Sequence, residues 1–299
     1  MNRLNSIVMM YGITPCHAGS GSSMGVVDLP IQRERHTNWP MIQSSGVKGA
    51  FRANFDKYKN SLSETQKQEI RQFDKLTDSI FGTDKGGESD SGYAGSFSVS
   101  DAKILAYPMR SNVAPFVWMT APAVLKRFFK DLVLTEKIRD SIFDNSFFNL
   151  EEDSYICVTG NITGSLLLEE YELKPSDKTI SDEIKTVLNQ YLPEANRLVI
   201  VTDEVFNYGV TDCTQITAQI KIDSKTGTTQ DGSLRYQEEL PADTIMYSVV
   251  LWGDSKNRAE ENLKAETIKD FISNTVIKKY IQIAGDETCG RGIFELTWK

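Results

Sequence analysis

The sequence contains few residues suited to soft-metal or thiol chemistry. Its 299 residues include two histidines, at positions 17 and 36, and four cysteines. The cysteines lie at positions 16, 157, 213 and 289, so no two of them form a CxxC pair. This spacing disfavours zinc ribbons, zinc fingers and iron–sulfur sites, and it disfavours a secreted disulfide framework. A reduced, cytoplasmic setting is the expectation.

Long hydrophobic runs and nucleotide-binding motifs are lacking as well. The apolar run that begins at Ile7 stops at Pro15, which is too short to span a bilayer and has no signal-peptide cleavage site. We therefore predict a buried first strand over about 4–13 and no membrane partner. The sequence has no Walker A motif and no complete GxGxxG. Residues 21–25 match GxSxG literally, but an extended segment with Pro30 follows them instead of the helix that a nucleophile elbow requires.

The net charge of −8 is unevenly distributed along the chain. Residues 1–60 hold seven basic and three acidic residues, whereas residues 151–204 hold four basic and twelve acidic ones. Local charge decides where a polyanion docks, so the acidic total does not exclude a nucleic acid. The first sixty residues are the candidate basic surface, and 151–204 predicts a solvated or partner-facing acidic one.

Hydrophobic periodicity predicts a mixture of strands and helices. Apolar residues at helical spacing predict a first helix after Ser44, and Ser63 with Gln66 forms a capping box ahead of a second helix over about 63–81. The two apolar stripes are Val47, Phe51, Phe55 and Tyr58, then Ile70, Phe73, Leu76 and Ile80. The other predicted elements are an extended stretch at 26–36, an exposed loop at 83–96, extended segments at 97–107, helices at 121–133 and 179–191, a strand at 196–201, a hairpin at 211–240, a strand at 244–252 followed by a helix, and a closing strand at 293–298. Strands and helices do not alternate strictly, which favours an α+β fold over a doubly wound sheet.

A Gly/Ser-rich loop lies between two residues that can transfer protons. His17 precedes Ser20 and Gly21, and Asp28 follows in an otherwise apolar segment. Glycine-rich backbone can approach a ligand closely, and its amides can hold phosphate oxygens. A carboxylate in such a segment either accepts backbone hydrogen bonds or is held for chemistry, and the sequence leaves both interpretations open.

Three segments that contain lysine or arginine are candidate phosphate sites, each with a structural alternative. The first is Arg33, Glu34, Arg35 and His36, which is otherwise a solvated or ion-paired run. The second is the helix start with Ser44, Ser45, Lys48 and Arg52, where amides, hydroxyls and cations come together. Its alternative is a basic amphipathic surface helix. The third is the glycine loop 285–292 with Arg291, which is otherwise a tight turn.

Six segments together resemble one family. They are residues 14–21 (TPCHAGSG), 25–37 (GVVDLPIQRERHT), 47–52 (VKGAFR), 101–108 (DAKILAYP), 234–241 (LRYQEELP) and 285–292 (GDETCGRG). This set resembles the repeated backbone subunits of type III-B CRISPR effector complexes, in the RAMP superfamily, over about residues 10–296. Gly46, where a serine is usual, and Cys289 depart from the pattern without removing a charge.

The resemblance implies a fold and an activity. The fold is a single RAMP domain over 1–299, with a ferredoxin-like (RRM-like) palm, a fingers-type insertion over 60–150 and a protruding thumb hairpin over 205–241. The subunit would bind guide crRNA in a filament with further copies of itself and with other subunits. It would cleave complementary target RNA at regular intervals, once beside each thumb. A non-catalytic crRNA-binding scaffold and a standalone RNA-processing endonuclease are the alternatives.

The resemblance also implies roles for individual residues. Asp28 is implied as the catalytic aspartate, assisted by His17 and by Glu238 or Glu239, with Glu239 taken as the candidate. Asp28 would also be the ligand of a weakly bound Mg²⁺ or Mn²⁺, held mostly by water and phosphate. Together with the segments described above, the candidate RNA contacts are Ser20, Gly21, Arg33, Arg35, His36, Ser44, Ser45, Lys48, Arg52 and Arg291.

Overall fold

The elements of the chain are those of a computed structural model, which describes residues 4–69, 73–83, 92–139, 149–256 and 263–299. The strands are β1 (Asn5–Gly12), β2 (Met41–Ile42), β3 (Phe97–Val99), β4 (Ala102–Arg110), β5 (Phe116–Thr120), β6 (Ser154–Cys157), β7 (Leu166–Leu168), β8 (Tyr171–Pro175), β9 (Leu198–Val201), β10 (Gln215–Gln219), β11 (Arg235–Glu239), β12 (Ile245–Trp252), β13 (Tyr280–Gln282) and β14 (Ile293–Trp298). The helices are α1 (Ser44–Ser61), α2 (Glu64–Glu69), α3 (Phe73–Phe81), α4 (Pro122–Leu134), α5 (Asp182–Tyr191), α6 (Asp203–Asp212) and α7 (Ala265–Phe271), which continues as one π-helical turn over Ile272–Val276.

One large sheet organises the described part of the chain. Its main path runs β13-β14-β1-β12-β4-β5-β9-β6-β8-β7, with β2 added to β4 and β3 added to β12. Its pairs are antiparallel except for β5 with β9 and β6 with β8. The remaining two strands, β10 and β11, form a separate antiparallel hairpin. The predicted mixture of helices and strands is confirmed, and the sheet is mostly antiparallel.

Strand β1 is an interior strand of this sheet. It pairs with β12 on one side and β14 on the other, and Ile7, Val8 and Met10 are fully buried. A strand buried on both faces is continuously apolar rather than alternating, which explains the run that the sequence shows here. The first-strand prediction is confirmed.

The predicted helix at Ser44 is α1, and its apolar stripe faces the core. Val47, Phe51 and Phe55 are fully buried, and the Phe51 ring lies 5.9 Å from the Trp298 ring. The first turn has no side-chain cap of its own. Instead the Ser44 N–H donates to the Asp101 carboxylate at 2.7 Å, so an acidic side chain already occupies part of this helix terminus.

The second predicted helix is seen as α2 and α3. The Ser63–Gln66 capping box is confirmed, since Gln66 Oε1 accepts from the Ser63 N–H at 2.9 Å and Ser63 Oγ accepts from the Gln66 N–H at 3.3 Å. Gly82, with φ of +98°, ends α3 as expected. Ile70, the Phe73 side chain and residues 84–91 of the predicted exposed loop lie outside the described residues.

Two parts of the pattern were interpreted wrongly. Residues 26–36 are not a regular strand and make only isolated bridges, because Pro30 supplies no N–H and the chain turns at 35–37. Residues 205–212, predicted as the start of a thumb hairpin, belong to helix α6, so the hairpin begins at Gln215. The signals missed were Thr202, whose hydroxyl caps the helix by accepting from the Val205 N–H at 3.3 Å, and the two acidic residues after it.

Strands β3, β4 and β5 come from the range 60–150 and join the same sheet as β1 and β12. A fingers-type insertion therefore cannot be one continuous segment over 60–150, because these three strands interrupt it. No helix in the described ranges is long and apolar enough to cross a membrane.

Candidate functional site

The outer edge of strand β11 brings the candidate catalytic residues together. One edge of β11 pairs with β10, where Glu238 lies opposite Ile216. Along the other edge, the backbone groups of Tyr236, Glu238 and Leu240 bond to two segments from the start of the chain. These segments carry Asp28 and His17. Residues far apart in sequence therefore meet along one strand.

Asp28 is tied to this edge through its side chain. Its Oδ2 accepts from the Tyr236 N–H at 2.7 Å, and the carboxylate is half-buried. The next residue continues the pairing, since the Leu29 N–H donates to the Tyr236 carbonyl at 3.1 Å and the Leu29 carbonyl accepts from the Glu238 N–H at 2.9 Å. Segment 28–29 is thus a short addition to β11, and it places Asp28 at the base of the hairpin.

His17 is bonded to the same edge of β11, at Glu238. Its Nδ1 lies 2.7 Å from the Glu238 carbonyl oxygen. A carbonyl oxygen only accepts hydrogen bonds, so Nδ1 donates and a neutral imidazole keeps its lone pair on Nε2. The attachment points of Asp28 and His17 are two residues apart on β11, a rise of about 7 Å in an extended strand.

The face of β11 that carries Glu238 is clamped by an arginine. The Glu238 carboxylate accepts from Arg33 Nη2 at 2.5 Å, from Thr214 Oγ1 at 2.9 Å and from the Ile31 N–H at 3.0 Å. The Arg33 side chain is 16% exposed, and its Nη1 donates to the Asn38 and Val210 carbonyls. Both groups are engaged within the fold. The structure thus gives Arg33 internal partners where an RNA contact was predicted.

The opposite face of β11 carries a second buried network. Glu239 is 1% exposed, and its carboxylate accepts from Arg291 Nε at 3.0 Å and from Gln215 Nε2 at 2.9 Å. Gln237 Nε2 donates to Asp286 Oδ2 at 2.6 Å, which is a second link to the glycine loop 285–292. Glu239, predicted as an assistant in catalysis, is therefore enclosed by protein donors. Arg291, predicted as an RNA contact, anchors the loop to the hairpin base.

Four other predicted residues lie on exposed loops. Ser20 and Gly21 are exposed, and Ser20 Oγ donates to the Pro30 carbonyl at 3.1 Å. Arg35 and His36 lie at an exposed turn, with His36 Nε2 4.0 Å from a Glu34 carboxylate oxygen. These side chains are accessible to a ligand, and their roles as RNA contacts stay predictions.

The helix-start residues lie on α1 and make their own contacts. Ser45 is exposed and Ser44 half-buried. Lys48 Nζ lies 3.5 Å from the Phe97 carbonyl and 5.3 Å from the centre of the Phe97 ring, while Arg52 reaches Asp78 at 3.6 Å. Burial lowers the pKa of Lys48, and the positive charges of Lys256 and Arg52 lower it further. Lys256, which the sequence analysis did not single out, is therefore close enough to Lys48 and Arg52 to add to the positive charge there.

The described part of the chain does not favour a reactive cysteine or a metal site with several protein ligands. Cys16 adjoins His17, but burial raises its pKa to about 12, so it stays a thiol at neutral pH. No group of three or more His, Cys, Asp or Glu side chains is placed there to hold a metal ion. The half-buried carboxylate of Asp28 lies beside the exposed Gly/Ser loop and is able to serve as a single protein ligand.

The chain is similar to known proteins over nearly its whole length. A sequence model described as the RAMP superfamily matches residues 10–295. The chain is 34% identical over 303 residues to the CRISPR system Cmr endoribonuclease Cmr4 of Pyrococcus furiosus, covering 98% of this chain and 95% of the relative. The crystal structure of oligomeric Cmr4 from Pyrococcus furiosus is similar with a TM-score of 0.68 at 28% identity, covering 99% of this chain and 97% of that one. A chain of a type III-B Cmr-beta complex bound to cognate target RNA has the same fold, with a TM-score of 0.72 at 23% identity and coverage of 98% and 96%.

Proposed function

The chain belongs to the RAMP superfamily, and from this premise we propose that it is an endoribonuclease subunit of a type III-B CRISPR effector complex. In this role it binds guide crRNA, assembles with further copies of itself and with other subunits, and cleaves complementary target RNA. The observation that supports cleavage most directly is the placement of Asp28 and His17 along one edge of β11. Both lie next to the exposed Gly/Ser loop, where an RNA backbone has room to pass.

The fold supports the same assignment. Strands β14, β1, β12 and β4 are neighbours in that order, and along the chain they occur as β1-α1-β4-β12-α7-β14. This β-α-β-β-α-β arrangement is that of a ferredoxin-like unit, which we propose as the palm. The β10–β11 hairpin is the proposed thumb. One of its faces exposes apolar side chains, namely Ile216, Ile220, Leu234 and Tyr236. Such a face suits contact with unstacked bases.

The proposed chemistry uses the nucleophile that RNA itself carries. A base takes the proton of the 2′-hydroxyl, the 2′-oxygen attacks the adjacent phosphorus, and the bond from phosphorus to the 5′-oxygen breaks. The departing 5′-oxygen takes up a proton. Asp28, or the free Nε2 of His17, is suited to accept the first proton, and the protonated partner can return one. The protein therefore has to align the backbone and exchange two protons.

We also propose that a divalent ion assists at Asp28. Magnesium and manganese accept a single carboxylate when water and phosphate oxygens complete the shell, which fits the half-buried carboxylate of Asp28 beside the exposed Gly/Ser loop. When bound, such an ion supplies positive charge to the phosphate. Asp28 would hold it through the oxygen that does not bond to Tyr236.

Gly19 is expected to be essential because a larger residue would cover the free nitrogen of His17. A Cβ at position 19 would lie 2.7 Å from His17 Nε2, well inside contact distance. We expect Gly19→Ala to lower the single-turnover rate of target cleavage by about tenfold or more through displacement of the imidazole. Gly49→Ala, where the new Cβ would meet nothing within 4 Å, is the matched control and should cleave normally. Equal rates for the two variants would contradict the assignment of His17.

Lys48 and Arg52 are proposed to contact guide phosphates, despite their partners within the fold. A protein that loses two phosphate contacts to single-stranded RNA should show a slope of log affinity against log salt that is shallower by about 1.4. We expect this of the Lys48→Ala, Arg52→Ala double variant, with weaker guide binding at low salt. Lys57→Ala removes an exposed cation of α1 that pairs with Glu287, and it should leave the slope unchanged. An unchanged slope in the double variant would show that the two cations act only within the fold.

The test of the function is cleavage by an assembled complex. Complementary target RNA should yield fragments at regular spacing, in a reaction that requires divalent metal. Cleavage by the isolated chain without partners would favour a standalone endonuclease. The bond between Asp28 and Tyr236 is also what a purely structural aspartate would make, so a non-catalytic scaffold is the second candidate. Substitution of Asp28 separates the two.

A further inference from the structure

Arg33 is a largely buried cation, with its side chain 16% exposed. Its guanidinium joins three parts of the fold that are distant in sequence. Nη1 donates to the Asn38 carbonyl and to the Val210 carbonyl, each at 2.9 Å, and Nη2 donates to Glu238 at 2.5 Å. Val210 belongs to α6, and Glu238 belongs to β11. One side chain thus links the loop after Asp28, the helix before the hairpin, and the base of the hairpin.

Glu238, the carboxylate partner of Arg33, also binds the segment that follows Asp28. One carboxylate oxygen of Glu238 holds Arg33, and the other accepts from the Ile31 N–H at 3.0 Å. Ile31 is three residues beyond Asp28 and is itself buried. The segment between them is therefore held at both ends, by the Tyr236 N–H at Asp28 and by Glu238 at Ile31. If the guanidinium is removed, Glu238 loses its charged partner and the inner end of this segment is released.

We propose that Arg33 is a positioning residue, which fixes Asp28 against the hairpin base by orienting Glu238, and that it does not bind RNA. This inference rests on the proposed function, because it assumes that Asp28 takes part in cleavage. Arg33 acts through Glu238 and Ile31 and touches neither the scissile phosphate nor the 2′-hydroxyl. Lysine does not replace it, since a single ammonium group lacks the planar fork that reaches three acceptors at once.

The test compares cleavage and binding in the complex reconstituted with guide RNA. Arg33→Lys should lower the single-turnover rate at saturating target by about tenfold, and Arg33→Ala by about a hundredfold, since small misplacements of a catalytic group cost that much. The affinity for target RNA should stay within about twofold for both, because no phosphate contact is lost. Arg127→Lys is the control, since it perturbs another half-buried arginine–carboxylate pair, with Glu34 at 2.5 Å, that does not touch β11. This control should cleave at the wild-type rate.

Three results would overturn the inference. They are wild-type cleavage by Arg33→Ala, a loss of target affinity as large as the loss of rate, and an equal loss of rate in Arg127→Lys. Should Arg33→Ala fail to assemble, the cleavage rate and target affinity of Arg33→Lys decide whether Arg33 is a positioning residue. Failure of the proposed function is distinguished by Asp28→Asn. If that variant cleaves normally, Asp28 is not catalytic whatever the Arg33 variants do. If it is inactive while Arg33→Ala is normal, only the positioning role is wrong.

Discussion

Replacing Asp28 by asparagine should abolish target cleavage while guide binding and assembly persist. The amide oxygen of asparagine can still accept from the Tyr236 N–H, so the segment against β11 keeps its geometry. The variant loses the negative charge that would accept a proton or hold a divalent ion. We expect a fall in the single-turnover rate of about a hundredfold to ten-thousandfold, the usual contribution of a positioned acid–base group. Fragment yield over time, measured in the reconstituted complex, checks this.

Asp28→Ala provides the more severe version of the same experiment. It removes the Tyr236 contact as well as the charge, so it should be at least as inactive as Asp28→Asn. Chelation of divalent metal should reduce wild-type cleavage to the level of these variants. Wild-type rates in both substituted complexes, with normal metal dependence, would establish that Asp28 is structural and that the chain is a scaffold at this position.

Glu239→Ala should destabilise the chain rather than remove a catalytic group. The carboxylate is 1% exposed and accepts from Arg291, Gln215 and Thr217. Its loss leaves the Arg291 guanidinium, 29% exposed, without its partner, which costs about 3 kcal/mol in the free energy of unfolding. Denaturant unfolding of the purified chain measures this change.

Glu287→Ala is the matched control for Glu239. It also removes a carboxylate of an ion pair near the glycine loop, but the pair with Lys57 is more than half exposed on both sides. Such pairs contribute at most about 1 kcal/mol, so the unfolding curve should hardly move. Complexes of Glu239→Gln that assemble should cleave at nearly the wild-type rate. A loss of about a hundredfold in correctly assembled complexes would instead restore the catalytic role predicted from the sequence.

The sequence predicts best those elements whose pattern is local. The stripe through Val47, Phe51 and Phe55, the Ser63 capping box and the first strand depend on residues within a few turns, and all three were found. The hairpin that contains Ile216 was also found, because its alternation is regular. Helix α6 was missed because no element was assigned between the strand ending at 201 and the hairpin, and the thumb range implied by the resemblance covered residues 205–212.

The sequence indicates candidate residues for the site but does not predict how the fold arranges them. Asp28 and His17 were singled out from their chemical types and from the family resemblance, yet nothing in the chain's order shows that both attach to β11. Arg33 was taken as an RNA contact from the run 33–36, and Arg291 from the glycine loop 285–292. Their carboxylate partners within the fold, Glu238 and Glu239, are 205 and 52 positions away. Only the folded chain decides which of its cations remain free for a polyanion.

The two faces of β11 have a consequence for how this protein can diverge. Successive residues of a strand point to opposite faces, so one residue inserted between Tyr236 and Glu238 would turn Glu238 and Glu239 each to the other face. The tip of the hairpin, over 221–233, has no such constraint and is exposed along most of its length. We therefore expect the tip to tolerate a change of length or an inserted tag, whereas the five residues at its base have to keep their number.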